Sequence, residues 1–208
     1  TNTYAPVERL KALYDEAVQF PEVAGLSIGT RPDCAPEPVL DLIESYADRL
    51  DVWIEYGLQS AHDATLRDIN RGHDFQAFAD AVQRTVQRRI HVCAHVILGL
   101  PGETNADMLA TACALAPMGL HGIKVHHLYI ARNTAMESDY LAGRVEVFTA
   151  AGYVKAACDF LEQIPPDVAV QRLMGDTTTT GVLLAPAWPE TKGEVLRNIT
   201  EEFRRRGS

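Results

Sequence analysis

Polar and sulfur-bearing side chains punctuate one apolar run, His91-Val-Cys-Ala-His-Val-Ile-Leu-Gly-Leu-Pro-Gly-Glu-Thr104. On a strand, His91, Cys93 and His95 share one face, with about 6.6 Å between neighbours in the set. Such a face can line the metal site of a hydrolase- or aldolase-like barrel, completed by His126. Against this, residues four apart on a strand lie about 13 Å apart, beyond the reach of one ion unaided. His126 and His127 are adjacent, so they point to opposite faces, and one of them can face a lumen together with Tyr129. The run ends in Gly99-Leu-Pro-Gly102, where two residues without Cβ let backbone approach a flat ligand and Pro101 stiffens the turn. A turn of this kind after a buried strand sits where α/β proteins place ligands.

The elements that must hold these groups alternate. Helices are predicted over 6–19, 36–49, 62–69, 74–89, 105–117, 136–141, 145–163 and 190–206 from apolar residues at helical spacing. Strands are predicted from Val23 to Ile28, Val52 to Leu58, Ile90 to Leu98, Gly122 to Ile130 and Val168 to Leu173. Thr104 reads as an N-cap with Asp107 completing a capping box. Pro165-Pro166 stops the seventh helix, and Asp176 to Gly181 reads as a polar, threonine-rich loop. Strand–helix alternation with short linkers means parallel strands and right-handed crossovers. The fold class is therefore α/β, one domain over residues 1–208, and five strands are too few for a closed eight-stranded barrel. A partial TIM-like barrel with outer helices fits best. Polar residues cluster after the strands (Arg31 and Asp33, Gln59 and Ser60, Glu103, Asn133 and Thr134), which points to a ligand rim at the carboxyl ends.

The chain has 208 residues, of which 47% are hydrophobic and 23% charged, with a net charge of −9. That acidity argues against a broad electrostatic grip on nucleic acid. Arg204 to Arg206 form one compact basic run, placed to complement a helix dipole. Cys34, Cys93, Cys113 and Cys158 are dispersed without a Cys-x-x-Cys pair. With no long apolar segment and no signal peptide, the expectation is a reduced, cytoplasmic protein with no membrane partner.

Several ordered motifs together carry a resemblance. Gly57-Leu-Gln-Ser60, Leu66, Asn70-Arg-Gly-His73 and Ile97-Leu-Gly-Leu-Pro-Gly-Glu103 resemble the radical S-adenosylmethionine superfamily. The resemblance is to the group holding the oxygen-independent coproporphyrinogen oxidases and the catalytic subunit of elongator. Gly29-Thr-Arg-Pro-Asp-Cys34 and Val52-Trp-Ile-Glu-Tyr-Gly-Leu-Gln59 narrow it to the bacterial YhcC-like group. The resemblance covers nearly the whole chain, through Asp176 and the Pro186-to-Trp188 region.

It implies a partial (βα)6 barrel holding a [4Fe–4S] cluster and S-adenosylmethionine (SAM). In such an enzyme an electron from the cluster cleaves SAM to a 5′-deoxyadenosyl radical. The substrate is not implied; small molecules and RNA are both open. Residue by residue, Gln59 matches a SAM-contacting glutamine and Arg71 an arginine that pairs with the methionine carboxylate. Ile97 to Gly99 match the segment lying on adenine. His95 stands where relatives often carry an aspartate near the ribose. Gly29 stands where they often carry a glutamate, with Glu55 the candidate to take over that contact, or else to pair with Arg31 as a core carboxylate.

The resemblance also implies a Cys-x3-Cys-x2-Cys loop after a first strand, and this sequence has none. Thr1 to Tyr4 would be the exit of the second strand. The expectation is thus a barrel truncated at its N-terminus, with about 60–100 further residues upstream at about 30 or more per βα unit. The parent protein would be the enzyme. This chain alone would bind neither cluster nor SAM, and would self-associate through an exposed strand edge or apolar lumen, or else have a disordered opening strand. The competing readings are the metal-dependent barrel using His91, His95 and His126, and a non-catalytic binding module.

Overall fold

The computed structural model describes residues 2–175 and 181–207. Five parallel strands form one open sheet: β1 (Gly25–Thr30), β2 (Asp51–Gln59), β3 (His91–Leu98), β4 (Gly122–His127) and, after a short strand β5 (Ile130–Ala131), β6 (Ala169–Arg172). Their order is β1-β2-β3-β4-β6, so each strand is laid beside its predecessor by a crossover. β5 pairs antiparallel with β7 (Leu183–Ala185) in a separate two-stranded ribbon. The helices are α1 (Val7–Ala17), α2 (Glu37–Glu44), α3 (Asp63–Asp68), α4 (Phe75–Val86), α5 (Asn105–Leu115), α6 (Ala135–Leu141), α7 (Ala150–Leu161) and α8 (Lys192–Arg206). This is the α/β parallel architecture expected, with the sheet open at β1 and β6.

Alternation along the strands sorts the side chains. Ile28, Ile54, Tyr56, Leu58, Val92, Ala94, Val96, Leu98, Ile123 and Val125 are buried on the face the helices cover. Tyr56 shows how that face closes: its ring meets Phe78 of α4 edge-on, and its hydroxyl bonds Thr85 at 2.9 Å. Each fully buried aliphatic or aromatic chain stabilises the fold by about 1.5–3 kcal/mol. The opposite, inner face carries Ser27, Trp53, Glu55, His95, Ile97, Lys124 and His126, exposed or half-buried. It is largely polar. The expected apolar lumen is corrected in composition: Glu55, His95 and Lys124 bond one another there, beside the apolar side chains of Trp53 and Ile97.

Boundaries differ where a local signal was overlooked. β4 stops at His127, although the Leu128 N–H still donates to the Leu98 carbonyl at 2.9 Å before β5 begins. Residues 145–149 lie outside any helix, and α7 begins after the extended Thr149, whose hydroxyl accepts from the Gly152 N–H at 3.1 Å. Asn2–Tyr4 form a 3-10 turn, and Thr3 bonds Thr30 at the end of β1 at 2.5 Å. The Thr104 capping box is present as predicted. Of the predicted threonine-rich loop, Asp176 to Thr180 lie outside the described residues. Arg206 closes α8 by ion pairs to Asp159, Glu162 and Glu202, so the basic run is structural.

Gly99 has φ +81°, and a Cβ there would lie 2.6 Å from the Phe148 ring. Both facts require glycine. Gly99→Ala should therefore destabilise the fold by about 1–3 kcal/mol, the usual cost of a strained backbone position. Urea denaturation checks this; an unchanged midpoint would contradict it.

Candidate cofactor and substrate site

The carboxyl end of β2 is irregular in a way that builds a site. Gly57 pairs with His95, but the next pair is Gln59 with Val96, so Leu58 is an extra residue. A bulge of this kind re-aims the following side chain. Gln59 also adopts φ +78°, a conformation that non-glycine residues seldom take. The strand thus ends by turning one amide side chain out of the alternation, at a backbone cost of about 1–3 kcal/mol.

Arg71 reaches the same spot from the loop after α3. Its Nη2 donates to the Gly57 carbonyl at 2.8 Å and its Nε to His73 Nε2 at 3.1 Å. His73 places Nδ1 3.2 Å from the Asp74 carbonyl. Its Nε2 also lies 3.1 Å from the Gly57 carbonyl, so the Nδ1-protonated tautomer donates to Asp74 and accepts from Arg71, whereas the Nε2-protonated one donates to Gly57. Burial, helped by the Arg71 charge and opposed by the Asp74 carbonyl, holds His73 below its ordinary pKa, which favours the neutral ring. Arg71 is half-buried and makes no ion pair among the described residues. Burial, followed by the charge of Arg31, lowers its pKa from the ordinary value. This is a desolvated cation with no carboxylate at ion-pair distance among the described residues, although the charge of Asp33 acts on it from further away. A Cβ on Gly57 would lie 2.3 Å from Arg71 Nη2 and 2.8 Å from Gln59 Nε2, so Gln59 and Arg71 converge over one glycine.

Below them the inner face holds a charged cluster. Glu55 Oε2 accepts from His95 Nε2 at 2.7 Å and from Lys124 Nζ at 2.5 Å, and Oε1 accepts from Ser27 at 2.5 Å. The side chains of Glu55 and Lys124 are 14% and 13% exposed. The His95 hydrogen bond, with those from Lys124 and Ser27, outweighs burial and holds the Glu55 carboxyl well below the usual range. The predicted Glu55–Arg31 pairing is corrected: Arg31 instead pairs with Asp33 at 2.5 Å and donates to the Gly72 carbonyl. Sequence reasoning missed Lys124, Ser27 and His73. Lys124 had one available signal, a charged residue inside a mostly apolar predicted strand.

The other candidates separate. Ile97 borders a cavity of about 380 Å3 with Gln59, His95, His126 and Tyr129. Gly99 does not join them; it faces Phe148 and a second cavity of about 690 Å3 between the β3–α5 turn and residues 143–148. Ile97 and Gly99 thus border different cavities, with the left-handed turn at Gly99 between them. His126 stacks beside His95 with ring centres 6.0 Å apart. His127 lies on the other face, buried against Tyr153 and Trp188, and burial pushes it down to about 4.

The metal site of His91, His95 and His126 is corrected. His91 sits at the opposite end of the strand, stacked on Trp53 and edge-on to His121, with Nε2 3.3 Å from Asp51. Among the described residues no three His, Cys, Asp or Glu side chains are arranged to hold a metal. The cysteines do not fit a cluster either. Cys34, Cys93 and Cys158 are buried in separate places and Cys113 is exposed on α5. Burial raises the Cys93 thiol to about 12 and the Cys158 thiol to about 11, so both stay protonated. For SAM the donors do fit: an unpaired guanidinium, a freed amide and an apolar edge at Ile97 stand together at strand ends.

Comparison with known proteins fixes the class. The model of the radical SAM superfamily matches residues 1–113, and that of the radical SAM C-terminal domain matches residues 120–205. The chain belongs to the radical SAM superfamily. It is 40% identical over 208 residues to YtqA of Bacillus subtilis, covering 100% of this chain and 64% of that protein. It is 41% identical over 193 residues to YhcC of Escherichia coli K12, covering 92% and 62%. The chain thus spans just under two thirds of the length of these relatives. Its fold is similar to that of archaeal Elp3 from Methanocaldococcus infernus, at 17% identity and TM-score 0.80, covering 100% of this chain and 52% of that one.

Proposed function

We propose that this chain is the SAM-binding part of a radical SAM enzyme acting on a small molecule or RNA. When bound with its cluster, SAM supplies a radical able to abstract hydrogen from an unactivated position. The observation that carries the reading is Arg71, a half-buried cation with no carboxylate partner, converging with Gln59 over Gly57. Its planar fork suits a carboxylate, and Nη1 makes no hydrogen bond to a described residue. The Gln59 amide both donates and accepts, which suits ribose hydroxyls or the methionine amino group. Ile97 offers an apolar surface to a base. The four cysteines of this chain do not form a cluster ligand set.

Gly57→Ala tests the arrangement. A methyl group there meets only the flexible ends of Arg71 and Gln59, so folding stability should change by less than about 1 kcal/mol. SAM affinity of the full-length protein, read by equilibrium dialysis, should fall at least about tenfold, or about 1.4 kcal/mol. Unaltered affinity would mean that neither side chain touches SAM.

A further inference from the structure

Lys124 of β4 and Arg172 of β6 are register partners. They meet because β6 carries an extra residue: Ile123 pairs with Val170, and the next pair skips Gln171. In regular register Arg172 would stand opposite Val125, facing the helix-covered side. The bulge instead sets it on the inner face beside Lys124. All four residues of β6 are exposed, and Arg172 has no ion pair or hydrogen bond among the described residues. Its charge nevertheless reaches inward, where it favours the Cys93 thiolate and opposes protonation of His126.

The charges of this face do not balance. Glu55 and Lys124 neutralise each other at 2.5 Å. His126 is neutral, because burial first, and then the charges around it, push it down to about 4. Arg172 remains as a cation with no ion-pair partner among the described residues. Next to it His126 Nε2 is buried and unpartnered among the described residues, and the ring borders the cavity of about 380 Å3 shared with Gln59, His95 and Ile97. Unpaired polar atoms of this kind cost stability unless a ligand or water satisfies them.

We infer that the inner face between β4 and β6 is an oxyanion subsite, in which Arg172, flanked by Lys124 and His126, receives a carboxylate or phosphate group of a small-molecule substrate. That this ligand is a substrate rests on the function proposed above; the anion subsite itself does not. The guanidinium fork fits either oxyanion in a bidentate manner. His126, neutral at physiological pH, supplies one directional hydrogen bond without adding charge. One cation suits a compact anion, whereas RNA binding draws on several phosphate contacts, and the net charge of −9 supplies no broad basic surface.

The test uses the full-length protein carrying ring-15N histidine, titrated at constant ionic strength with inorganic phosphate and, separately, with acetate. His126 signals, assigned by their loss in His126→Phe, should move saturably with at least one anion. A phosphate preference assigns a phosphoryl group and an acetate preference a carboxylate. Arg172→Gln should weaken that binding at least tenfold, while Arg205→Gln, on α8 and paired with Glu202, should leave it unchanged. SAM affinity should be the same in Arg172→Gln as in the natural protein, so loss of the anion response and loss of SAM binding report separately. No saturable shift with either anion, or equal shifts in Arg172→Gln and the natural protein, would overturn the subsite.

Discussion

Replacing Glu55 by Leu should destabilise the protein by about 3–5 kcal/mol, the cost of leaving a buried charge without its partner. Lys124 is 13% exposed and has only Glu55 as an ion-pair partner among the described residues. The variant would strand its ammonium and remove the carboxylate that orients His95 and Ser27. Replacing both Glu55 and Lys124 by Leu should recover most of the loss, since a buried pair exchanged for apolar side chains is often close to neutral. Guanidinium denaturation of the two variants checks both statements; equal destabilisation in the single and double variants would show that the pair is not coupled.

The same group gives a pH dependence with a definite sign. The Glu55 carboxyl is held below its ordinary value of 4.5, so the unfolded chain takes up its proton first. The stability it contributes is complete above about pH 5 and is lost as pH falls through the ordinary carboxylate range toward the lowered folded value. Glu55→Gln should flatten that part of the stability profile between about pH 5 and 3, around the ordinary carboxylate pKa.

The second large effect concerns Arg71. In the full-length protein, Arg71→Ala should weaken SAM binding by about 1.5–3 kcal/mol, the scale of a hydrogen bond to a charged group. Part of the change will be structural, because Arg71 also holds the Gly57 carbonyl. Arg71→Lys separates the two contributions: a lysine keeps the charge but loses the fork, so an intermediate affinity is expected. Binding equal to that of the natural protein in both variants would remove the carboxylate from this position.

Much of this architecture was legible because it rests on local patterns. Strands β1 to β4 and β6 were found from apolar runs, and α5 from Thr104 and Asp107. What escaped lacked a local period. β5 and β7 have two and three residues, too few to show alternation. Glu55 is 40 residues from His95 and 69 from Lys124, so the cluster exists only once the sheet register is set. The bulges at Leu58 and Gln171 are invisible for the same reason, yet they decide where Gln59 and Arg172 point. Gln59 and Arg71 were singled out by family motif; their convergence over Gly57 is a property of the fold. Gly99 shows another limit of local reading: the Phe148 ring that an added Cβ would meet lies 49 residues along the chain.

The most direct test is diffraction from anaerobic crystals of the full-length protein grown with SAM. The account predicts the methionine carboxylate within hydrogen-bond distance of the Arg71 guanidinium, the Gln59 amide on the ribose or amino group, and adenine against Ile97. SAM bound away from all three residues, with Arg71 donating only to Gly57 and His73, would contradict it.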